Sequence, residues 1–118
     1  WYRKAADQGD ARAQFNLGLM YQTGLGVLQD YKEAVKWYRK AADQGDADAQ
    51  CNLGLMYANG HGVLQDFVAA YAWANLSVYN GNGNGEKFRD HLEKEMTPEQ
   101  LAKGQELSRE LLKQIEAK

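Results

Sequence analysis

Two side chains of this sequence could together carry out nucleophilic chemistry: its single cysteine, Cys51, and a histidine ten positions further on, His61. An imidazole base activates a thiol when the two groups lie within hydrogen-bonding distance. The residues between them are expected to be mostly helical, which separates the two backbones by roughly 12–15 Å. His61 also lies in a turn whose earlier copy has Leu25 at the same place, so the turn does not need a histidine. We therefore predict no nucleophile and base here.

The other reactive residue types also lack the spacing that their chemistry requires. His91 lies among charged residues, as on an exposed helical face. Neither Ser77 nor Ser108 begins a Ser-x-x-Lys motif, and no cysteines or histidines have the spacing of metal ligands. Gly24 and Gly26 lack the preceding strand of a phosphate-binding loop. The sequence therefore predicts no catalytic residue, no metal site and no cofactor, and we expect that the chain is not an enzyme.

An internal repeat determines the elements that would position any site. Tryptophans recur at intervals of 36 residues, at Trp1, Trp37 and Trp73. When residues 1–36 are aligned with residues 37–72, 26 of the 36 positions are identical. A fixed period in this range is typical of repeat proteins, in which each unit buries its apolar face against its neighbours. The sequence therefore predicts stacked units rather than one irregular core.

Each unit is predicted to form a hairpin of two helices. In the first unit, apolar residues at helical spacing predict a helix from Ala11 to about Thr23, with Asp10 as its N-cap. Glycines then predict a turn. Asp30 with Glu33 is typical of a capping box, which opens a second helix from about Tyr31 to Asp43.

The same features divide the chain into four segments. Residues 1–9 copy the end of a unit and are expected to be the end of a preceding repeat. Residues 10–45 and 46–81 are the two complete units, and the second helix of the later unit is predicted from about Phe67 to Tyr79. Residues 82–118 are predicted to form a degenerate helix pair that acts as a cap.

The C-terminal segment has the composition of such a cap. The run NGNGNG, from Asn80 to Gly85, predicts a flexible turn at which the regular repeat stops. Thr97, Pro98 and Gln100 then predict the start of a last helix. One arc of this helix is apolar and the opposite arc is charged, so one face packs and the other meets water. The apolar arc comprises Leu101, Leu107, Leu111, Leu112 and Ile115.

The repeated pattern resembles a known family. It reads A-x-A-Q-x-N-L-G-x-M-Y-x-x-G-x-G-V-x-x-D and then A-x-x-W-Y-x-x-A-A-x-x-G, from Ala11 to Gly45 and, with a degraded ending, from Ala47 to Gly81. This pattern is similar to the Sel-1-like repeat, a relative of the tetratricopeptide repeat, and the closing MTPEQLAKGQELSREL is similar to the C-terminal segment of bacterial members. The resemblance implies an all-α fold, a right-handed α-solenoid of antiparallel helix hairpins with a C-terminal capping helix. It also implies an adaptor or scaffold that binds proteins or peptides.

Charge and composition narrow the class of partner. The net charge of −2 gives no reason to expect a nucleic-acid partner. The longest apolar runs are far shorter than a membrane span, so we expect no membrane insertion. A single cysteine permits no intrachain disulfide and does not settle the compartment. The family resemblance favours the bacterial periplasm or secretion and leaves the cytoplasm open.

Differences between the two copies predict where a partner binds. In the first helix of the unit, the mismatches at positions 12, 15, 22 and 23 occupy one arc at about 100° per residue. An arc that differs between copies is not packed in the common way, so we predict that it lines the concave groove, where side-chain amides can bond an extended peptide backbone. The alternative interpretation is an ordinary solvated surface. The predicted groove residues are Arg12, Phe15, Asn16, Leu19, Gln22, Asp48, Cys51, Asn52, Leu55 and Ala58.

The mismatches of the second helix, at positions 31, 32, 33, 35 and 36, form a different and broader arc. This arc is predicted to be the convex side of the solenoid. Mixed charges on a helix are typical of a solvated face, so Lys32, Glu33 and Lys36 are predicted to be exposed.

Three classes of function stay open at this point. The first is a module that binds a protein or peptide in the groove. The second is a structural or self-associating array, in which an open N-terminal face of Trp1, Tyr2 and Ala5 stacks end to end on another copy. The third is a regulatory domain of an enzyme, since a fold alone does not fix a function.

Overall fold

Every regular element between residues 2 and 117 is an α-helix in the computed structural model, which describes this range with side chains from Arg3 onward. The predicted all-α fold is therefore confirmed. The helices are α1 (Tyr2–Asp7), α2 (Ala11–Thr23), α3 (Tyr31–Ala42), α4 (Ala47–Asn59), α5 (Phe67–Tyr79), α6 (Gly83–Glu95) and α7 (Pro98–Glu116).

Successive helices pack as hairpins that stack side by side. Helix α2 packs against α3 and α4 against α5, while the contact of α3 with α4 joins one hairpin to the next. The molecule is elongated, with extents of 44 × 29 × 23 Å, because stacking adds units along one direction. The predicted solenoid of helix hairpins is confirmed.

The two first helices begin and end by the same local chemistry. Asp10 and Asp46 each accept a hydrogen bond from the backbone amide three residues further on, at 2.8 and 2.9 Å. Gly24 and Gly60 end α2 and α4 in the left-handed conformation, with φ of 75° and 68°. Glycine adopts this φ without the strain that a Cβ would cause. The first helix predicted from Ala11 to Thr23 is thereby confirmed.

The start of α3 follows the prediction in part. Asp30 accepts hydrogen bonds from the amides of Lys32 and Glu33 at 3.1 and 3.2 Å, which confirms the N-cap. The complete capping box with Glu33 is wrong, because the Asp30 amide donates instead to the Tyr21 carbonyl at 2.8 Å. This hydrogen bond fastens the end of the turn to α2.

The repeated tryptophans anchor the hairpins. Trp37 is 2% exposed and packs with Ala6 and Leu17, which belong to the two helices before it. Trp73 is equally buried, at 2%. An arginine from the preceding repeat covers each indole by a cation–π contact. The Arg3 guanidinium lies 5.5 Å from the centre of the Trp37 ring, and the Arg39 guanidinium lies 5.1 Å from the centre of the Trp73 ring.

The glycine-rich run after α5 is only partly a turn. Gly81 has a φ of 97°, as a turn requires. The second half of the run is helical, because Asn82 caps α6 through the amides of Asn84 and Gly85 at 2.8 and 3.0 Å. A Cβ at Gly85 would collide with the Ser77 hydroxyl, so glycine allows α6 to approach α5. The prediction of a flexible turn through Gly85 is therefore wrong, and α6 begins 36 residues after α4.

Helix α7 caps the solenoid by packing against α5. Only Met96 and Thr97 connect α6 to α7, whereas seven residues connect the helices of a regular hairpin. Helix α7 packs along α5 rather than along α6. The predicted capping box is confirmed, with hydrogen bonds of 2.9 and 3.1 Å between Thr97 and Gln100.

The apolar arc of α7 packs against the rest of the protein, as predicted. Two further buried residues on that face were not predicted. Leu111 is 7% exposed, and the other four predicted residues are half-buried. Gly104 is also buried because the Tyr71 ring lies directly against it, and Ser108 is buried beside them.

The predicted convex arc of α3 is exposed at two of its five positions, and the other three are half-buried. Lys32 and Lys36 are exposed, as predicted, whereas Glu33 is half-buried. At the predicted N-terminal stacking face, Ala5 is half-buried on α1. Trp1 and the side chain of Tyr2 lie outside the described residues.

Candidate functional site

The ten predicted groove residues lie on α2 and α4, the first helices of the two complete repeats. Two are exposed, six are half-buried and two are buried. The exposed pair is Arg12 and Leu55, the half-buried set is Asn16, Leu19, Gln22, Asp48, Asn52 and Ala58, and the buried pair is Phe15 and Cys51.

Phe15 belongs to the core rather than to a groove. It is 8% exposed, and its ring is tilted against the Tyr38 ring at a centroid distance of 5.9 Å. The guanidinium of Arg12 covers the outer side of the ring at 4.6 Å. The prediction that Phe15 lines an open groove is therefore wrong, because its ring is covered by its neighbours.

Cys51 differs from Phe15 for a packing reason. The position equivalent to Tyr38 in the second copy is Ala74, so the tyrosine ring is missing there. The Phe88 ring of α6 instead lies against Gly54, where a Cβ would be 3.0 Å from it. Cys51 is 5% exposed. The difference at this position thus reflects a rearranged core, and the prediction that Cys51 lines the groove is wrong.

The cysteine thiol is also poorly suited to act as a nucleophile. Burial raises the pKa of Cys51, the charge of Asp48 raises it further, and a hydrogen bond with Ser77 lowers it. A raised pKa keeps the thiol protonated. His61 stacks on Tyr31 at a centroid distance of 4.6 Å and an interplanar angle of 4°. The histidine therefore joins the turn of the second hairpin to the start of α3.

Arg12 and Asp48 brace adjacent repeats. The Arg12 guanidinium donates to Asp46 at 3.0 Å and to Asp48 at 2.9 Å. The other carboxylate oxygen of Asp48 accepts from the Asn82 amide at 2.7 Å. This polar chain joins the starts of α2, α4 and α6. Substitution of either residue would therefore remove contacts between repeats as well as change any surface nearby.

The hydroxyl of Tyr38 joins two of the predicted groove residues. It donates to the side-chain oxygen of Gln22, and it accepts from the Asn52 amide at 3.4 Å. Burial raises the pKa of Tyr38 to about 12, against the opposing effect of the Asn52 hydrogen bond. Tyr38 is therefore a neutral phenol that orients the amides of α2 and α4, a role that its place in the apolar stripe of α3 did not reveal.

Asn16 and Asn52 occupy the same position in successive repeats and differ in how far their amides are used. The Asn16 side chain is half-buried and has no hydrogen-bond partner among the residues that the structure describes. Asn52 uses only its nitrogen, for the Tyr38 contact, so its carbonyl oxygen is available. Both amides can therefore bond another polypeptide. We call the half-buried and exposed set that includes them the first-helix face: Asn16, Leu19, Gln22, Asn52, Leu55 and Ala58.

The first-helix face continues into a cavity of about 380 Å³ between α4, α5 and α6. Leu55 and Ala58, both predicted from the sequence, lie on one side of it, and Phe88 lies on the α6 side. The remaining lining residues are Asn59, Phe67, His91, Leu92 and Glu95. An apolar cavity next to free amides can hold the side chain of a bound segment.

Phe88 was not predicted as part of the site, although the sequence contains a signal for it. It follows Asn52 by 36 residues, just as Asn52 follows Asn16. Extending the period beyond the glycine-rich run would have placed Phe88 on the same face.

Between residues 2 and 117, no group of three or more histidine, cysteine, aspartate or glutamate side chains is arranged to hold a metal ion. None of the helices in the same range combines the length and the apolar character needed to cross a membrane.

Comparison with known protein families identifies the repeat. The family model described as the Sel1 repeat matches residues 1–10, 11–46 and 47–82. None of the curated proteins matches the chain significantly.

Two solved structures are similar to this one over most of its length. The protective antigen c5321 of uropathogenic Escherichia coli strains, which displays an SLR fold, is 40% identical with a TM-score of 0.94, and the match covers 98% of this chain and 25% of that chain. A Sel1 repeat protein from Oxalobacter formigenes is 44% identical with a TM-score of 0.70, over 72% of this chain and 35% of that chain. This chain thus spans about a quarter and about a third of their lengths.

The repeat matches cover more than half of the chain, and the two structures share its stacked hairpins. The chain therefore belongs to the Sel1 repeat family.

Proposed function

We propose that this chain is a protein-interaction module that binds an extended segment of a partner protein along the first-helix face. Sel1 repeats typically mediate protein–protein interactions, which supports this class of function. The observation that carries the proposal is a row of equivalent positions in successive repeats. In this row the Asn16 amide has no partner among the described residues, the Asn52 carbonyl oxygen is available, and Phe88 lines an apolar cavity.

The chemistry of the row defines the segment that it would take. Side-chain amides donate to backbone carbonyls and accept from backbone amides, so Asn16 and Asn52 suit a polypeptide in an extended conformation. The cavity beside Leu55 and Phe88 suits an apolar anchor side chain. Glu95 lines the same cavity and is exposed, which favours a basic residue next to the anchor.

Selection of random peptides displayed on phage tests this proposal. Peptides enriched on the wild-type chain are measured by fluorescence polarisation against variants. We expect the peptides to share an apolar anchor, Leu55→Asp to weaken binding by about tenfold or more, and Asn16→Ala by about threefold.

The matched control is Lys36→Ala, a change of an exposed residue on the opposite helix of the hairpin, which is expected to leave affinity unchanged. Arg12 and Asp48 are unsuitable as test positions because they brace the repeats. Enriched peptides that bind Leu55→Asp as tightly as the wild type would refute the proposal.

A further inference from the structure

A second cavity, of about 370 Å³, lies where α5, α6 and α7 meet. We call it the junction cavity. It shares no lining residue with the cavity of the first-helix face. Its apolar walls include Leu76, Val78 and Leu112, and its lining contains two arginines, Arg89 and Arg109, but no aspartate or glutamate. The lining of the junction cavity thus combines apolar walls with two cationic side chains, while Glu116 lies just outside it, 3.5 Å from the Tyr79 hydroxyl.

The charge of Arg89 is incompletely paired. Its side chain is 26% exposed, and one terminal nitrogen donates to the neutral side-chain oxygen of Asn75 at 3.1 Å. The only carboxylate within 4 Å of it among the described residues is that of Asp90, which is 3.9 Å away and 58% exposed. A guanidinium has five N–H groups, so most of them have no close partner. A partly buried cation of this kind favours an anion beside it.

Three helices hold Arg89 in position. The oxygen of Asn75 on α5 accepts from Arg89, and the Asn75 nitrogen donates to the Ser108 hydroxyl of α7 at 3.2 Å. That hydroxyl in turn donates to the Gly104 carbonyl at 2.8 Å. This series of hydrogen bonds fixes the Asn75 side chain, and Asn75 in turn orients the Arg89 guanidinium before any ligand binds. Such preorganisation reduces the entropy lost on binding.

We infer that the junction cavity binds a carboxylate attached to a small apolar group. An arginine can bond both oxygens of a carboxylate, which is the geometry that this side chain recognises best. The volume of the junction cavity is near the lower limit for ligand sites. The apolar part of the ligand is therefore expected to be the size of one leucine side chain or slightly larger. Two sources share this chemistry: the C-terminal residue of a polypeptide and a free short-chain carboxylic acid.

Titration of the isotopically labelled full chain, followed by NMR, tests the inference. N-acetyl-leucine represents a polypeptide C terminus and 4-methylpentanoate represents a free acid, while N-acetyl-leucine amide lacks the charge. We expect at least one of the two carboxylates to shift the Arg89 side-chain signal and the Ser108 amide saturably, and the amide compound to shift neither. Stronger binding of N-acetyl-leucine identifies a polypeptide terminus, and stronger binding of 4-methylpentanoate identifies a free acid.

Variants connect the binding to the arginines. Arg89→Gln is expected to weaken binding by about tenfold or more, and Arg89→Lys by less, because lysine keeps the charge without the paired N–H groups. Arg109→Glu changes an exposed residue of the lining, so this variant stays informative if Arg89→Gln does not fold, and it is expected to weaken binding about threefold. Lys103→Gln, which lies outside this lining, is the matched control.

Two results would overturn the inference. One is the absence of saturable shifts with both carboxylates in the millimolar range. The other is equal binding of the amide compound, which would show that the cavity recognises apolar groups without regard to charge.

Discussion

Helices α3 and α5 occupy the same place in successive repeats and differ in what covers their outer sides. Lys36 and Lys40 of α3 are exposed, whereas their counterparts in α5, Ala72 and Leu76, are buried beneath α7. Both helices keep their buried tryptophan and their aspartate cap. The repeat therefore determines the hairpin, and the neighbouring element determines whether its outer side is charged or apolar.

The inner side of the hairpin shows a second difference of the same kind. In the first copy the Tyr38 ring of α3 lies against Gly18, and in the second copy the Phe88 ring of the following helix lies against Gly54. An aromatic ring fills the space next to the glycine in both copies, although it comes from different helices. Positions that differ between copies can therefore belong to the core.

Substitution of the two buried tryptophans tests how much each one contributes to stability in its repeat. Trp73→Ala is expected to lower the free energy of unfolding by about 3–5 kcal/mol, because it removes a fully packed indole. Trp37→Ala is expected to lower it less, because the short α1 supplies part of the surroundings of Trp37. Urea denaturation of both variants measures the difference. A smaller loss for Trp73→Ala would show that the short α1 does not limit the packing around Trp37.

The contact of α7 with α5 can be broken at one glycine. Gly104→Ala places a Cβ 2.7 Å from the Tyr71 ring, and overpacking of this kind costs about 1–3 kcal/mol. Gly83→Ala is the matched control, because no atom lies within 4 Å of its Cβ and alanine favours a helix. Thermal unfolding followed by circular dichroism compares the two. Equal midpoints would show that α7 does not depend on this approach.

The buried Tyr38 hydroxyl should make the protein less stable as the pH rises into the alkaline range. The pKa of Tyr38 is raised to about 12, against an ordinary value of 10.0, so its contribution is complete below pH 10 and is lost as pH rises towards 12. Between about pH 9 and about pH 11 the wild type should lose about 1 kcal/mol more than Tyr38→Phe. Urea denaturation at both pH values measures this difference. An equal loss in both proteins would contradict the burial of this hydroxyl.

The braces between repeats should contribute least. Arg12→Ala is expected to destabilise by less than about 1 kcal/mol, since the Arg12 side chain is 58% exposed and salt screens its ion pairs. Lys32→Ala on α3 is the control. Denaturation at low and high salt should show the effect of Arg12→Ala shrinking as salt is added, and an effect that grows would contradict the ion-pair assignment.

Local signals explain what the sequence could predict. Aspartate caps, glycines that adopt positive φ and apolar periodicity depend on neighbouring residues, so the bounds of α2 and α5 could be placed from the sequence. Burial of Phe15 depends on Tyr38, which is 23 positions away, and no local pattern reveals that contact. The groove on α2 and α4 therefore stays a prediction, from which burial removes Phe15 and Cys51. The role of Tyr38 required the structure, whereas Phe88 could have been found by extending the 36-residue period.

Chemical-shift mapping of a selected peptide on the labelled full chain tests the central claim most directly, namely that the partner lies along the first-helix face. The account predicts shifts at Asn16, Asn52 and Leu55, with the signals of Lys36 and Lys40 on α3 unchanged. Shifts centred on α3 with an unchanged Leu55 would contradict it.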